Sequence, residues 1–248
     1  MFQKPSGMPY YRFLRTLHDA CLFDWYLEVG CRSGKSFAPV RSKTIAVDPF
    51  FRAEINIIGK KPTLHVFQQT SDDFFASGFL ARNAIRLGLA FLDGMHLFEF
   101  LLRDFINTEA AMDPDRVILL HDCVPFDMEM TTRDIANLPR GAWTGDVWKL
   151  VPILLAWRPE LTLTVLDCQP TGLVCVSGLD PKNRVLAGSY DRIVAEFRDM
   201  TMEDFGVERF FGLFRMASAR TERHSGFPLF RPASIPEDMK LEPQAVTP

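Results

Sequence analysis

A chain of 248 residues in which 28 Lys and Arg nearly balance 31 Asp and Glu has no global field to hold nucleic acid or an anionic membrane. With 47% of its residues apolar it is a globular chain, long enough for one large domain with a substantial core. Five cysteines, an odd number with no C-x-x-C pair, point away from a zinc ribbon or redox pair and towards a reducing, cytoplasmic compartment.

The first twenty residues lack an apolar core and a small-residue cleavage site, so no secretory leader is expected. Tyr10 to Cys21 has helical spacing, with Phe13, Leu14, Leu17 and Cys21 on one side. Short, continuously apolar runs then recur: Trp25 to Val29, Thr44 to Val47, Thr63 to Phe67, Leu87 to Leu92, Val117 to Leu120, Leu161 to Leu166 and Leu173 to Val176. Continuous runs fit strands covered on both faces. Helical patterns over His96 to Met112 and Gly145 to Trp157 separate several of them. The run from Val147 to Leu166 is broken by Lys149, Pro152, Arg158, Pro159 and Glu160, so it reads as helix, turn and strand and not as a membrane span.

Strand alternating with helix predicts an α/β, Rossmann-like, doubly wound sheet of seven strands, mostly parallel, with an antiparallel last strand. Residues 1–220 form one domain in this reading. It has an N-terminal helix at 10–21 and Phe-rich C-terminal helices within 190–217, followed by a Pro-rich tail at 221–248, loosely docked or disordered.

Ligands of such sheets bind beyond the carboxyl ends of the strands. Glu28, Asp48, Asp72, Asp93 and Asp122 fall at or near those ends. The run GCRSGKS after the first strand looks like a phosphate-binding loop. Only Cys31, Arg32 and Ser33 separate Gly30 from Gly34, however, where a P-loop needs four residues. Lys35 and Ser36 are therefore expected to begin a helix and to hold no phosphate.

The pattern E-V-G-x-x-x-G closing one strand, with Asp48 closing the next, resembles class I S-adenosylmethionine-dependent methyltransferases. The segments LAFLDGMHLFEFLLRDF and VILLHDCVP are similar to the fourth and fifth strands of small-molecule O-methyltransferases of the sugar, antibiotic and catechol-like groups, the methyltransferase family 24-like proteins among them. The resemblance covers about Trp25 to Asp180. It implies that Glu28, Gly30 and Gly34 line the cofactor loop, that Asp48 holds the ribose, and that Ser71 and Asp72 lie near the adenine. Asp93 borders the cofactor, and Asp93 and Asp122 match two of three positions that hold a divalent cation such as Mg²⁺ in the metal-dependent members. The third falls on Cys123, and a thiol is a poor ligand for Mg²⁺. Met95 stands where some relatives have the general base.

Methyl transfer to a hydroxyl needs a base near neutrality or a metal that acidifies the acceptor. His96 and His121 are the two histidines beside strand-end acids, so Asp93, His96 and His121 are the catalytic candidates. Each has a structural alternative: His96 as a helix cap, His121 bonded to backbone within the sheet, Asp93-Gly94 as a plain turn. Glu99 and Asp104 are expected on a solvated helix face. Trp143, Asp146 and Trp148 are candidate acceptor contacts, and DFGVERFFGLFRM is read first as a packing helix.

The expected activity is O-methylation of a small molecule, a sugar or natural-product hydroxyl. No nucleic-acid or membrane partner is expected, and a homo-oligomer is compatible with the sequence. A catalytically silent scaffold of the same fold and a nucleotide-phosphate binder are the other two readings.

Overall fold

Eight strands form one sheet in the order β3-β2-β1-β4-β5-β7-β6-β8. They are β1 (Trp25–Val29), β2 (Lys43–Val47), β3 (Leu64–Phe67), β4 (Leu87–Leu92), β5 (Met112–His121), β6 (Thr162–Leu166), β7 (Leu173–Ser177) and β8 (Met216–Ala217). The structure, a computed structural model, describes residues 1–235. β1 to β5 are mutually parallel, and β7 runs antiparallel between β5 and β6. The antiparallel strand expected at the end of the seven is therefore present, as a hairpin of β6 and β7. The eighth strand is an addition: two residues, read in the sequence as the end of a helix, pair in parallel with β6.

The helices are α1 (Tyr10–Ala20), α2 (Ser71–Ala76), α3 (Phe79–Arg82), α4 (Phe98–Glu109), α5 (Leu150–Trp157), α6 (Val185–Gly188), α7 (Tyr190–Phe197), α8 (Met202–Phe205), α9 (Val207–Gly212) and α10 (Ala219–His224). The Phe-rich helical stretch expected within 190–217 is interrupted at Gly206, whose φ of 90° is open to glycine and costly for other residues. Thr201 starts α8 with a reciprocal capping box to Asp204.

Side chains of the strands alternate between two apolar layers. Leu27, Val29, Ile45, Val47, Ile118 and Leu120 pack towards α4, α5 and the Phe-rich helices, where Phe205 and Phe210 lie against Trp148. Trp148 is thus core, as is the Phe-rich segment. Tyr26, Ala46, Leu89, Phe91, Leu119 and Cys175 pack on the opposite face, beneath Phe13, Leu14 and Leu17 of α1.

That second face shows the largest departure from expectation. No helix follows β1: residues 31–40 make turns, closed by Gly34 N–H to Cys31 O and Ala38 N–H to Gly34 O, and Lys35 and Ser36 begin no helix. Thirteen residues join β1 to β2, with Pro39 near their end, where it supplies no N–H to a helix. Residues 48–63 contain no helix either.

The missing cover comes from the C-terminus. Phe227 and Phe230 are buried against Phe13, with ring centroids 5.6 and 6.0 Å away. Arg116 donates to Ala233 O at 2.9 Å, and Ile235 N–H to Leu22 O at 2.6 Å. Residues 221–235, expected as part of a loose tail, are a packed layer of the fold. The rest of that expected tail, 236–248, lies outside the described residues. Among the described residues no helix is long and apolar enough to cross a membrane.

Candidate active site at the carboxyl edge of the sheet

β1 ends in a bend that only glycine can make. Gly30 has φ 89°, and a Cβ there would fall 1.9 Å from Asp93 O, so the bend lies directly on the end of β4. Gly34 has φ 78°, and the Ile57 side chain occupies the place a Cβ would need, at 2.5 Å. Asp48 is adjacent, as expected from the sequence. Its Oδ2 accepts Arg32 N–H at 2.7 Å and its Oδ1 accepts Phe50 N–H at 2.6 Å. A carboxylate offers about four acceptor positions, so roughly two remain for a pair of hydroxyls. The bend and the acid therefore fit a ribose-bearing cofactor in position and chemistry.

Glu28 does not face the strand end. It is fully buried beneath the bend, where Tyr26 Oη donates to it at 2.6 Å and Ser36 Oγ donates to its other oxygen. Ser36, dismissed in the sequence, thus ties the loop to β1. Burial pushes the Glu28 carboxyl up to about 8, against the two hydrogen bonds. Its folded pKa exceeds the ordinary value, so its contribution to stability is full below about 4.5 and is lost as pH rises through about 8. Glu28→Gln, which has no charge to bury, is expected to match the parent in urea midpoint at pH 5 and to exceed it at pH 9. A constant difference across that range would contradict the assignment.

Ser71 and Asp72 begin α2, and their side chains are engaged within the fold. Asp72 pairs with Arg103 of α4 at 2.8 and 2.7 Å, and Ser71 hydrogen-bonds Asp104. Asp104 is only 2% exposed, so it is no solvated residue; burial raises its carboxyl to about 7. Glu99 is likewise drawn in, by two bonds from Arg133 at 3.0 and 2.7 Å.

The centre of the edge is a cluster of two carboxylates and two imidazoles. His96 Nε2 lies 3.1 Å from Asp122 Oδ2 and 3.6 Å from Asp93 Oδ1. His121 Nδ1 lies 3.1 Å from Asp93 Oδ1 and 3.4 Å from Asp122 Oδ2. Thr171 Oγ1 donates to the other oxygen of Asp122 at 2.6 Å. His121 is packed between the rings of Tyr10 and Phe91, with centroids at 4.0 and 5.8 Å. Its side chain addresses the acids, not the sheet backbone.

The loop before α5 fixes His96. Gly145 lets that loop meet His96: a Cβ there would fall 1.7 Å from His96 O. Asp146 caps α4 through Phe98 N–H at 2.9 Å and also holds Arg133 and Lys149, so it is a structural anchor. Trp143 stays at the edge, its ring 5.0 Å from His96. Its carbonyl oxygen lies 2.9 Å from His96 Nδ1. A carbonyl can only accept, so Nδ1 carries the hydrogen. Nε2, aimed at two carboxylates, then needs either a proton or a metal ion.

Burial opposes a charge on His96, but hydrogen bonding to Asp93 and the charge of Asp122 outweigh it and its pKa rises above the ordinary value. The same balance lifts His121 well above its usual range and, through the His121 charge, lowers Asp122. Both imidazoles are thus shifted towards the charged form when the cluster holds only its own groups.

Asp93, His96 and Asp122 also place one ligand atom each within 4.8 Å of one another, a fit for a cation. The third member is His96, not Cys123. Cys123 is buried, and its thiol donates to His121 O at 3.3 Å. Two oxygens and one nitrogen suit Mn²⁺, Fe²⁺ or Zn²⁺ better than Mg²⁺, which takes oxygen almost alone. The sequence reading placed His96 beside the acids but not among the ligands; a histidine three residues after an aspartate, across a tight turn, was the available signal.

No family model and no curated protein matches the chain. Solved structures do. The O-methyltransferase TomG from Streptomyces achromogenes, involved in tomaymycin synthesis and solved in complex with SAM, is 14% identical, with 69% of this chain and 80% of that chain covered and a TM-score of 0.50. Cofactor-bound Rv0187 from MTB is 13% identical, with 68% and 79% covered and a TM-score of 0.50. The chain carries the class I S-adenosylmethionine-dependent methyltransferase fold.

Proposed function

We propose that the chain transfers a methyl group from S-adenosylmethionine to a hydroxyl of a small molecule, a sugar or natural product, at the edge formed by β4 and β5. The Asp93–His96–Asp122–His121 cluster carries this reading, because a methyltransferase sheet needs acid–base or metal chemistry at that point. The solved O-methyltransferase of the same fold supports the choice of a hydroxyl acceptor.

In this reading Gly30 and Gly34 make room for the cofactor and Asp48 takes its ribose hydroxyls. Ser71 and Asp72 stand near the adenine and Asp93 borders the reacting end. The cofactor supplies an electrophilic methyl on a sulfonium. His96 Nε2 is the atom that receives the acceptor's proton, held in line by the Trp143 carbonyl. Asp122, steadied by Thr171, and Asp93 stabilise the resulting imidazolium. His121, walled by Tyr10 and Phe91, offsets the charge of the two acids. A divalent cation held by Asp93, His96 and Asp122 would instead lower the acceptor's own pKa.

The test is transfer from labelled cofactor to a panel of glycosides and phenols, with Mn²⁺, with Mg²⁺ and with chelator. Calorimetry should show cofactor binding that weakens at least tenfold in Asp48→Asn, about 1.4 kcal/mol. ATP binding that is lost in Lys35→Ala, without any binding of S-adenosylmethionine, would reject the proposal in favour of a nucleotide-phosphate binder.

One observation favours a second reading, a catalytically silent member. Asp48 already accepts two backbone N–H groups and Ile57 lies over Gly34, so the chain itself fills part of the cofactor's place. Unchanged Asp48→Asn affinity together with no transfer to any acceptor would support it.

A further inference from the structure

A concavity opens on the same edge of the sheet, two strands from the acid cluster. Its volume is about 620 Å³, and Gln3, Lys4, Ser6, Phe211, Phe214 and Arg215 supply most of its wall. The sheet register gives its distance from the reacting centre. His121 is opposite Leu173, and Leu173 is opposite Leu166. Two strand spacings separate them, about 10 Å. Asp167, the next residue after Leu166, lines the cavity.

The N-terminal segment joins the two places. Lys4 lies over the Phe126 ring at 4.6 Å, in the loop that follows Asp122. Gly7 N–H bonds Asp167 O at 2.8 Å, and three residues later Tyr10 stacks on His121.

Apart from the Phe126 ring beneath Lys4, the side chains of Gln3, Lys4, Ser6 and Arg215 have no partner among the described residues. Among the described residues, Lys4 and Arg215 form no ion pair, and the side chains of Gln3 and Ser6 form no hydrogen bond. One carboxylate, Asp167, shares the cavity with them, its Oδ1 accepting Ala219 N–H at 2.8 Å. Two cations, two neutral hydrogen-bonding groups and the rings of Phe211 and Phe214 therefore face one hollow. Two cations against one carboxylate leave the hollow net positive, which favours an anion with several acceptor oxygens. The aromatic walls favour a flat or apolar body attached to it.

Resting on the methyltransferase reading above, we propose that this cavity is the distal subsite of the acceptor and takes an anionic group, phosphate or carboxylate, borne about 10 Å from the hydroxyl that is methylated. The acceptor is then an acidic small molecule, not a neutral glycoside. Lys4 and Arg215 hold its anionic end; the hydroxyl at the other end reaches Asp93 and His96.

The test is direct binding to the full chain, read by calorimetry. Phenyl phosphate, benzoate and neutral phenyl glucoside are titrated with and without S-adenosylmethionine. Binding of either anion at least tenfold tighter than the glucoside is expected, and the tighter of the two identifies the acid. Lys4→Ala and Arg215→Ala should each weaken the anion several-fold, and Arg215→Glu should abolish its binding. All three should leave cofactor affinity unchanged, since these exposed residues lie away from the glycine bend. Equal affinity for glucoside and anions, or indifference to all three substitutions, would overturn the proposal and leave two solvated cations. Anion binding that depends on Arg215 in a chain that binds no S-adenosylmethionine would keep the anion site and defeat the methyltransferase reading instead.

Discussion

His96→Asn is expected to lower methyl transfer by about 10²- to 10⁴-fold, the usual contribution of a positioned acid–base group, while cofactor affinity stays within a factor of about two. Asparagine keeps a donor at the Nδ1 position for the Trp143 carbonyl but has no group at the position of Nε2 to receive a proton. The pH profile separates a base from a mere spacer. Asp93 and Asp122 raise the His96 pKa, so at low pH Nε2 is protonated and cannot accept. Activity of the parent should therefore climb with pH, and the midpoint of the acid limb should lie above the ordinary histidine value of about 6.5. Mn²⁺ competes with that proton for Nε2, so saturating metal should move the limb to lower pH, and metal binding should release protons. The variant should lose the limb along with the rate. A parent profile flat from pH 5 to 9, or a variant of full activity, would remove His96 from the chemistry and leave it as an anchor for the loop before α5.

The second large effect concerns the C-terminal layer. Phe230→Ala should cost about 3–5 kcal/mol in urea unfolding, the usual figure for removing a fully buried aromatic ring. Arg220→Ala, an exposed change on the neighbouring helix α10, should stay within about 0.5 kcal/mol. Removal of residues 219–248 should do more than either. It strips Phe227, Phe230 and Ala233 from the face that α1 only partly covers, exposing Phe13 and the strand residues beneath. A truncated chain with parental stability would mean that α1 seals this face alone and that 219–235 is decoration.

These two expectations mark the boundary between what was legible in the residues and what was not. The strands could be read because each is a short apolar run cut by a turn residue, and a parallel strand buried on both faces allows no other composition. Leu87–Leu92 and Trp25–Val29 appear in the structure at the bounds their apolar runs suggest. The glycine bend and its neighbour Asp48 were legible for a related reason: a positive φ and a close backbone approach demand glycine at 30 and 34. Gathering Asp93 and Asp122 on one edge required only that β4 and β5 be adjacent and parallel.

The absent crossover helices were hidden, because periodicity in a short loop cannot say whether hydrogen bonds will close as turns or as a helix. The role of Phe227 and Phe230 was hidden as well. A Pro-rich segment without period resembles a tail until it is known that one face of the sheet lacks cover, and that lack is a property of the whole sheet. The partners of each charged group were least visible. Glu28 reads as a strand-end acid but is buried beneath Ser36, Asp104 reads as solvated but lies behind the Asp93 turn, and Cys123 stands at a metal position yet donates to backbone. Residue type and spacing thus determined the strands, the bend and the acid edge, because backbone sterics and burial act locally. Tertiary structure alone decided which nitrogen faces which carboxylate, what shields the second face, and that Lys4 and Arg215 line one cavity, because those depend on distances between segments that the chain order does not carry.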